Sequence, residues 1–398
     1  MDPRDNPYTP NAGARPPVLA GREDDLARFD LLLARLSRGR TEQSMVITGL
    51  RGVGKTVLLG AFRTAAETAG WVAVEAEITR EMEFSERIAL LARRALLQIA
   101  PRARWKARAK RAAGVLKSFT LTVATDGAWT AGLGLDAVEG EADSGYLGDD
   151  LADVFVALGE AAREHERGVV FLFDEAQFLS PAELEALIAA LHKTVQRALP
   201  LTLVAAGLPQ MPRLAGEAKS YAERLFTFRE IGRLPEQQAL EALVGPARAN
   251  GADYTSGAAS KIVRLAEGYP YFIQEYGKAV WEMAPGSPFG MSVVASVRPL
   301  VEAKLDAGFF KVRAERTVAH ELRYLRAMAA LGPGPHKART VAEALGRTSA
   351  QVAPTRARLI DKGLLYTPGY GLAGFTVPQF DQYLRRNYPP PDPVAAHE

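Results

Sequence analysis

Apolar residues recur at three- and four-residue spacing through DDLARFDLLLARLSRG (24–39), which predicts an amphipathic helix stopped by its glycine. The period then changes. SMVITGL (44–50) reads as a short apolar strand, followed by a Gly-rich turn and the helix-like TVLLGAFRTAAETAG (56–70). WVAVEAEI (71–78) is a second strand and SERIALLARRALLQIA (85–100) another helix. GVVFLFDEA (168–176) is a continuous apolar run bounded by turn signals, the mark of a strand buried on both faces. LTLVAAGLP (201–209) and RLFTFREIG (224–232) supply two more strands, with the helix PAELEALIAALHKTVQRA (181–198) before them. Strands alternating with helices of this length predict a parallel sheet covered on both faces. Beyond Leu234 the strand signal stops, and residues 235–312 read as helix throughout. From Arg313 a long amphipathic helix, two short helices and a hairpin follow.

With 398 residues the chain exceeds one ordinary core, so several domains are expected. Hydrophobic content of 47% with 24% charged residues is that of a globular chain. The absence of cysteine excludes disulfides and thiolate zinc sites, and five scattered histidines argue against a metal cluster. No apolar run is long enough for a membrane span and MDPRDNPYTP lacks a signal core, so a cytoplasmic protein without membrane contact is expected. The first 20 residues, rich in Pro, Gly and Asn, read as a flexible arm, and residues 389–398 of the Pro-rich terminus as a disordered tail.

Gly49-Leu50-Arg51-Gly52-Val53-Gly54-Lys55-Thr56 satisfies G-x-x-x-x-G-K-[ST], between a strand and a helix that opens near Val57. Glycines allow successive backbone N–H groups to turn inward on phosphates, and the helix adds its positive end. Lys55 would reach the β- and γ-phosphates of ATP, and the Thr56 hydroxyl would ligate Mg²⁺. Asp174, ending a buried strand, would hold Mg²⁺ through water, and Glu175 would polarise the attacking water.

These residues resemble the AAA+ P-loop ATPases of the archaeal-type, STAND and origin-recognition group. The resemblance implies an α/β P-loop NTPase sheet with helices on both faces (21–233), an all-α lid (234–312) and a C-terminal winged helix (313–388). Gly21-Arg22-Glu23 looks like the motif that opens such domains. Gly268-Tyr269-Pro270 looks like the lid motif whose proline, Pro270 here, lies near the adenine. Arg224 stands where the superfamily keeps an arginine finger, which implies a homo-oligomer in the ATP state, or is a surface arginine. Two departures imply slow, partner-stimulated hydrolysis. The fourth strand ends in Ala206-Gly207-Leu208-Pro209, without the usual water-positioning Asn or Thr, and the lid lacks the usual γ-phosphate arginine.

The net charge is only +3, so a nucleic-acid partner must be argued from local clustering. Residues 313–386 carry 12 Lys/Arg against five Asp/Glu. Thr340 with Glu343 reads as a capping box, Gly346 as a helix stop, and Pro368-Gly369-Tyr370-Gly371 as a hairpin turn. A winged helix would present Gln351, Thr355, Arg356, Arg358 and Lys362 to DNA, either reading guanine edges or gripping phosphate, or would dock on protein. Pro354 predicts that this helix starts late or bends. An insert at about 100–148 combines a basic helix (Arg102, Arg104, Lys106, Arg108, Lys110, Arg111) with alternation around Asp126-Gly127 that predicts a hairpin. It is either a solvated face or an arm for DNA or a partner. Two functions follow: a nucleotide switch that assembles on DNA, or a STAND-like signalling ATPase, monomeric with ADP, that binds protein.

Overall fold

The computed structural model describes residues 1–11, 13–123 and 136–388. The chain enters through α1 (Glu23–Ser37), β1 (Ser44–Thr48), α2 (Lys55–Thr68), β2 (Val72–Glu77), α3 (Phe84–Ile99) and α4 (Ala107–Val123). It continues through α5 (Leu147–Glu164), β3 (Val169–Asp174), α6 (Pro181–Gln196), β4 (Leu201–Gly207), α7 (Met211–Ala218), α8 (Ala222–Leu225) and β5 (Phe226–Glu230). The five strands form one sheet in the order β2-β3-β4-β1-β5, every neighbour parallel. Alternation within the strands divides the core. Met45, Ile47, Val170, Leu172 and Val204 pack with Phe29 and Phe62 of α1 and α2. Val46, Phe171, Phe173 and Leu203 pack with the helices α3 to α8 on the other face. Burial on both sides explains why β3 reads as an unbroken apolar run.

The expected hairpin of the insert is corrected in its first arm. Residues 118–123 belong to α4, whose Ala109, Ala113, Leu116 and Phe119 repeat at helical spacing and are buried. Asp126-Gly127 lies outside the described residues. Part of the basic run is internally neutralised: Arg108 and Arg111 both reach Glu160 of α5, at 2.8 and 2.9 Å, and Arg111 also reaches Glu141. Arg102, Arg104 and Lys110 are exposed, and Lys106 donates to the Glu164 carbonyl.

The lid comprises α9 (Glu236–Ala249), α10 (Ser256–Leu265), α11 (Pro270–Met283) and α12 (Met291–Leu305), ending in a π-helical turn over Asp306–Phe310. The first nine residues of the N-terminal arm are fastened to the lid. Tyr8 is buried in the lid core and its hydroxyl donates to the Leu243 carbonyl. Asn6 donates to the Lys278 carbonyl, the Trp281 indole to the Asp2 carbonyl, and the backbone N of Thr9 to Gln274. Composition suggested flexibility, but one aromatic anchor and these bonds outweigh it.

The C-terminal module contains α13 (Lys311–Glu315), α14 (Ala319–Ala330), β6 (His336–Lys337), α15 (Ala338–Ala344), α16 (Ser349–Asp361), β7 (Leu365–Tyr366), β8 (Leu372–Phe375) and α17 (Phe380–Asn387). The strands pair antiparallel in the order β6-β8-β7. Two local expectations are corrected. Thr340 lies inside α15 and does not cap it, and Glu343 instead pairs with Arg339 at 2.7 Å. Pro354 neither delays nor ends α16. Thr348 and Gln351 form a reciprocal cap ahead of it, satisfying the first-turn donors. Gly346, just after α15, takes a left-handed φ of 65° as a helix stop should. The module shares one continuous core with the lid, from Tyr8 through Phe272 and Phe310 to Phe380 and Leu384.

Glu321 of α14 is 1% exposed and is held by the Lys362 ammonium at 2.5 Å and by the Val318 backbone N–H. Lys362→Ala would leave that carboxylate buried without its cation. The expected loss is roughly 2 kcal/mol, below that of a fully buried pair because Lys362 is partly solvated. Urea unfolding measures it, and adding Glu321→Gln should restore most of the stability. No loss in the single variant would remove Lys362 from this structural role.

Candidate nucleotide site

The Gly-rich loop joins β1 to α2 at the carboxyl end of the sheet, where β1 lies between β4 and β5. Gly54 caps α2 with φ at 93°, a left-handed conformation that a side chain resists. Lys55 is buried and donates to the carbonyls of Gly49 and Leu50, both at 2.9 Å. Desolvation lowers its pKa to about 8, opposed by the carboxylates of Glu175 and Asp174. Arg22 fastens the loop from behind. Its guanidinium donates to the carbonyls of Val53 and Gly232, both at 3.1 Å. The Gly21-Arg22-Glu23 motif thereby ties the phosphate loop to the segment after β5.

Strand β4 separates β1 from β3, and the acidic pair sits at the end of β3. Thr56 Oγ1 donates to Asp174 Oδ2 at 2.5 Å, so a hydroxyl and a carboxylate converge at the start of α2. Such oxygens suit a hard divalent cation. Glu175 takes a left-handed φ of 52°, unusual for a residue with a side chain, which turns it out of the strand direction. Its carboxylate receives two donors: Arg51 Nη1 on Oε1 at 3.1 Å and the Gln177 amide on Oε2. Gln177 also accepts from the backbone N of Leu208 at 3.1 Å. It therefore stands at the tip of β4, where the polar residue was missing. A Cβ on Gly207 would lie 3.0 Å from the Gln177 oxygen and 2.6 Å from Met211, so that space is filled. The sequence held this residue in Asp-Glu-Ala-Gln, but only the fold brings it to β4.

The loop borders a cavity of about 530 Å³. Arg51 to Val57 form its floor, and Glu175, Pro270, Tyr271 and Gln274 line its sides. Thr9, Pro10 and Asn11 of the arm and Phe309 and Arg313 of the C-terminal region complete the wall. Pro270 and the loop residues from Arg51 onward are thus brought together as expected, while Gly49 and Leu50 lie behind the loop and hold Lys55. The arm and Arg313 were missed. The arm carries no motif, and Arg313 reaches the cavity through the π-helical turn, which periodicity does not reveal.

Arg224 is exposed on α8 beside the edge strand β5 and does not line the cavity. The five residues expected to face DNA divide. Arg356 donates to Thr367 and to the Leu372 carbonyl, bracing the hairpin. Gln351 caps α16 and Lys362 neutralises Glu321. Arg358 is exposed and Thr355 partly so. The module also docks beside the loop: the backbone N of Arg51 donates to the Thr376 carbonyl at 2.9 Å, and Arg80 pairs with Asp361 at 3.3 Å.

No curated protein matches the sequence. Residues 307–384 match a domain of unknown function. Among solved structures, the chain is similar to the Walker-type ATPase paby2304 of Pyrococcus abyssi, at 16% identity and TM-score 0.56, covering 93% of this chain and 97% of that one. It is also similar to the ORC2 protein of Aeropyrum pernix in its ADPNP-ADP complexes, at 15% identity and TM-score 0.54, covering 95% and 96%. Both likenesses concern the fold. No helix among the described residues is long and apolar enough to cross a membrane. Residues 18–204 match the AAA ATPase domain, and the sheet order, phosphate loop and acidic pair of that span are those of an AAA+ P-loop ATPase domain.

Proposed function

We propose that the protein is a slow ATPase acting as a nucleotide switch, with its C-terminal winged helix held against the phosphate loop in the resting state. One observation carries this reading. Arg51 is bonded through its side chain to Glu175 and through its backbone to Thr376 of the module. A change at the phosphates therefore reaches the module through one residue. Lys55 and the loop N–H groups would bind the phosphates of ATP, and Glu175 would take a proton from the attacking water once Arg51 and Gln177 release it. Thr56 and Asp174 would hold Mg²⁺, which when bound neutralises charge on the phosphates. Glu175 occupied by two donors supports slow turnover that a partner stimulates.

Docking of the winged helix on the nucleotide domain favours the STAND-like form, in which ADP holds a monomer. DNA contact on release is supported by the surplus of 12 basic over five acidic residues in 313–386, with Arg347 and Arg358 exposed. Arg224, beside the open sheet edge, is placed to complete a neighbour's site in an ATP-bound oligomer.

Lys55→Ala should abolish nucleotide binding, whereas Glu175→Gln should bind ATP and fail to release phosphate. Fluorescent-nucleotide titration and a phosphate-release assay separate the two, and normal turnover by Glu175→Gln would reject its role. Phosphates should raise the pKa of Lys55 from about 8, so binding at pH 8 should take up a fraction of a proton. Calorimetry in buffers of different ionisation enthalpy reads that uptake, and its absence would mean that Lys55 does not meet the phosphates. DNA affinity should fall steeply with salt and be stronger with a non-hydrolysable ATP analogue than with ADP. No DNA binding at low salt with either nucleotide would leave protein as the partner.

A further inference from the structure

Arg313 stands outside every motif of the sequence. It lies between the π-helical turn over Asp306–Phe310 and the body of the C-terminal module, and it lines the nucleotide cavity with Arg51 and Lys55. π-Helical turns re-aim side chains and recur at functional sites. Here the turn places the Arg313 guanidinium over the Phe309 ring, 4.1 Å from its centroid, with Nη1 donating to the Phe309 carbonyl. Phe309 stacks on Tyr271 at 5.0 Å, and the backbone N of Tyr271 reaches the carbonyl of Gly52. A continuous packed path therefore runs from Arg313 to the phosphate loop.

The charges around this path do not balance. Among the described residues, Arg22, Arg51, Lys55 and Arg313 line the cavity against the single carboxylate of Glu175. Arg22 is engaged by backbone carbonyls and Arg51 by Glu175. Arg313 meets a ring and a carbonyl, and among the described residues no carboxylate bonds it. Burial and the nearby Arg51 charge both push its pKa below the ordinary arginine value. Guanidiniums brought together inside a cavity are relieved by an anion between them. Glu175, read above as the base for the attacking water, is bonded to Arg51, so the part of the cavity they line is where a third phosphate would meet that water.

We infer that Arg313 contacts the third phosphate of a bound nucleoside triphosphate, so that the C-terminal module reads triphosphate against diphosphate with a residue of its own. The inference rests on the nucleotide reading above and supplies from the module the cation that the lid motif lacks. A diphosphate leaves this end of the cavity unfilled, and a triphosphate places its added charge between Arg51 and Arg313. The phosphate would compete with Glu175 for Arg51, and so loosen the hold on the carboxylate that the Thr376 contact reinforces.

The test is calorimetric titration of the full chain with Mg-ADP and with Mg-adenylyl-imidodiphosphate, for the native protein, Arg313→Gln and Arg313→Lys. Arg313→Gln should lose roughly 10- to 100-fold in affinity for the triphosphate analogue and less than about threefold for ADP, the range for one charge-assisted contact. Arg313→Lys, which keeps the charge, should fall between. Retained ADP binding certifies the fold of each variant. Equal loss for both nucleotides, or loss for neither, overturns the Arg313 assignment. Lys55→Ala run alongside distinguishes the two levels: full affinity in that variant would overturn the nucleotide reading itself, and the inference with it.

Discussion

The bond between Arg51 and Glu175 is the constraint on which the site depends. Arg51 occupies a variable position of the phosphate loop, yet its guanidinium lies 3.1 Å from the carboxylate that ends β3. Its backbone N is bonded to Thr376, so the loop is fixed at both ends of one residue. This works only because β1 and β3 lie one strand apart in the sheet, with their carboxyl ends side by side. Parallel β4 between them sets the gap that a long side chain spans. A guanidinium suits this position because its planar fork matches a carboxylate at the end of a long side chain.

Around that bond the site holds more positive charge than it neutralises. Lys55 is buried against carbonyls, which supply dipoles but no counter-charge. Its pKa is lowered because burial outweighs both carboxylates. The same imbalance appears in Arg313, whose neighbours include Arg51. Two buried carboxylates away from the cavity are matched by guanidiniums: Glu160 receives Arg108, Arg111 and Arg197, and Asp25 receives Arg229 at 2.9 Å.

Much of this was legible in the sequence where spacing is local. Gly49 to Thr56 is one contiguous string, and Asp174-Glu175 closes an apolar run, so both could be read from order alone. The helices of the lid and the hairpin after α16 were legible for the same reason. What escaped was set by distance along the chain. Tyr8 looked like part of a loose arm because its partner Leu243 lies 235 residues away. Arg356 and Lys362 looked free for DNA because Thr367, Leu372 and Glu321 meet them only in the folded module. The alternation in residues 118–123 suggested a strand, but Phe119 continues the buried helical spacing of Ala109, Ala113 and Leu116 against α3 and α5. Tertiary packing overrides a short period-two pattern.

The missing polar residue after β4 takes a different meaning once Gln177 is placed. One amide accepts from Leu208 and donates to Glu175, so strand β4 and the acidic carboxylate are linked through a side chain of the intervening turn. Gly207 is then a consequence and not a defect, since a side chain there would collide with Met211 and crowd Gln177. The Gln177 amide serves two partners at once, and Glu175 is thereby held by both Gln177 and Arg51. Departure from Glu175 would free the amide hydrogens of Gln177 and the carboxylate together. In that geometry the Glu175 carboxylate is closed from both sides by hydrogen bonds of its own site.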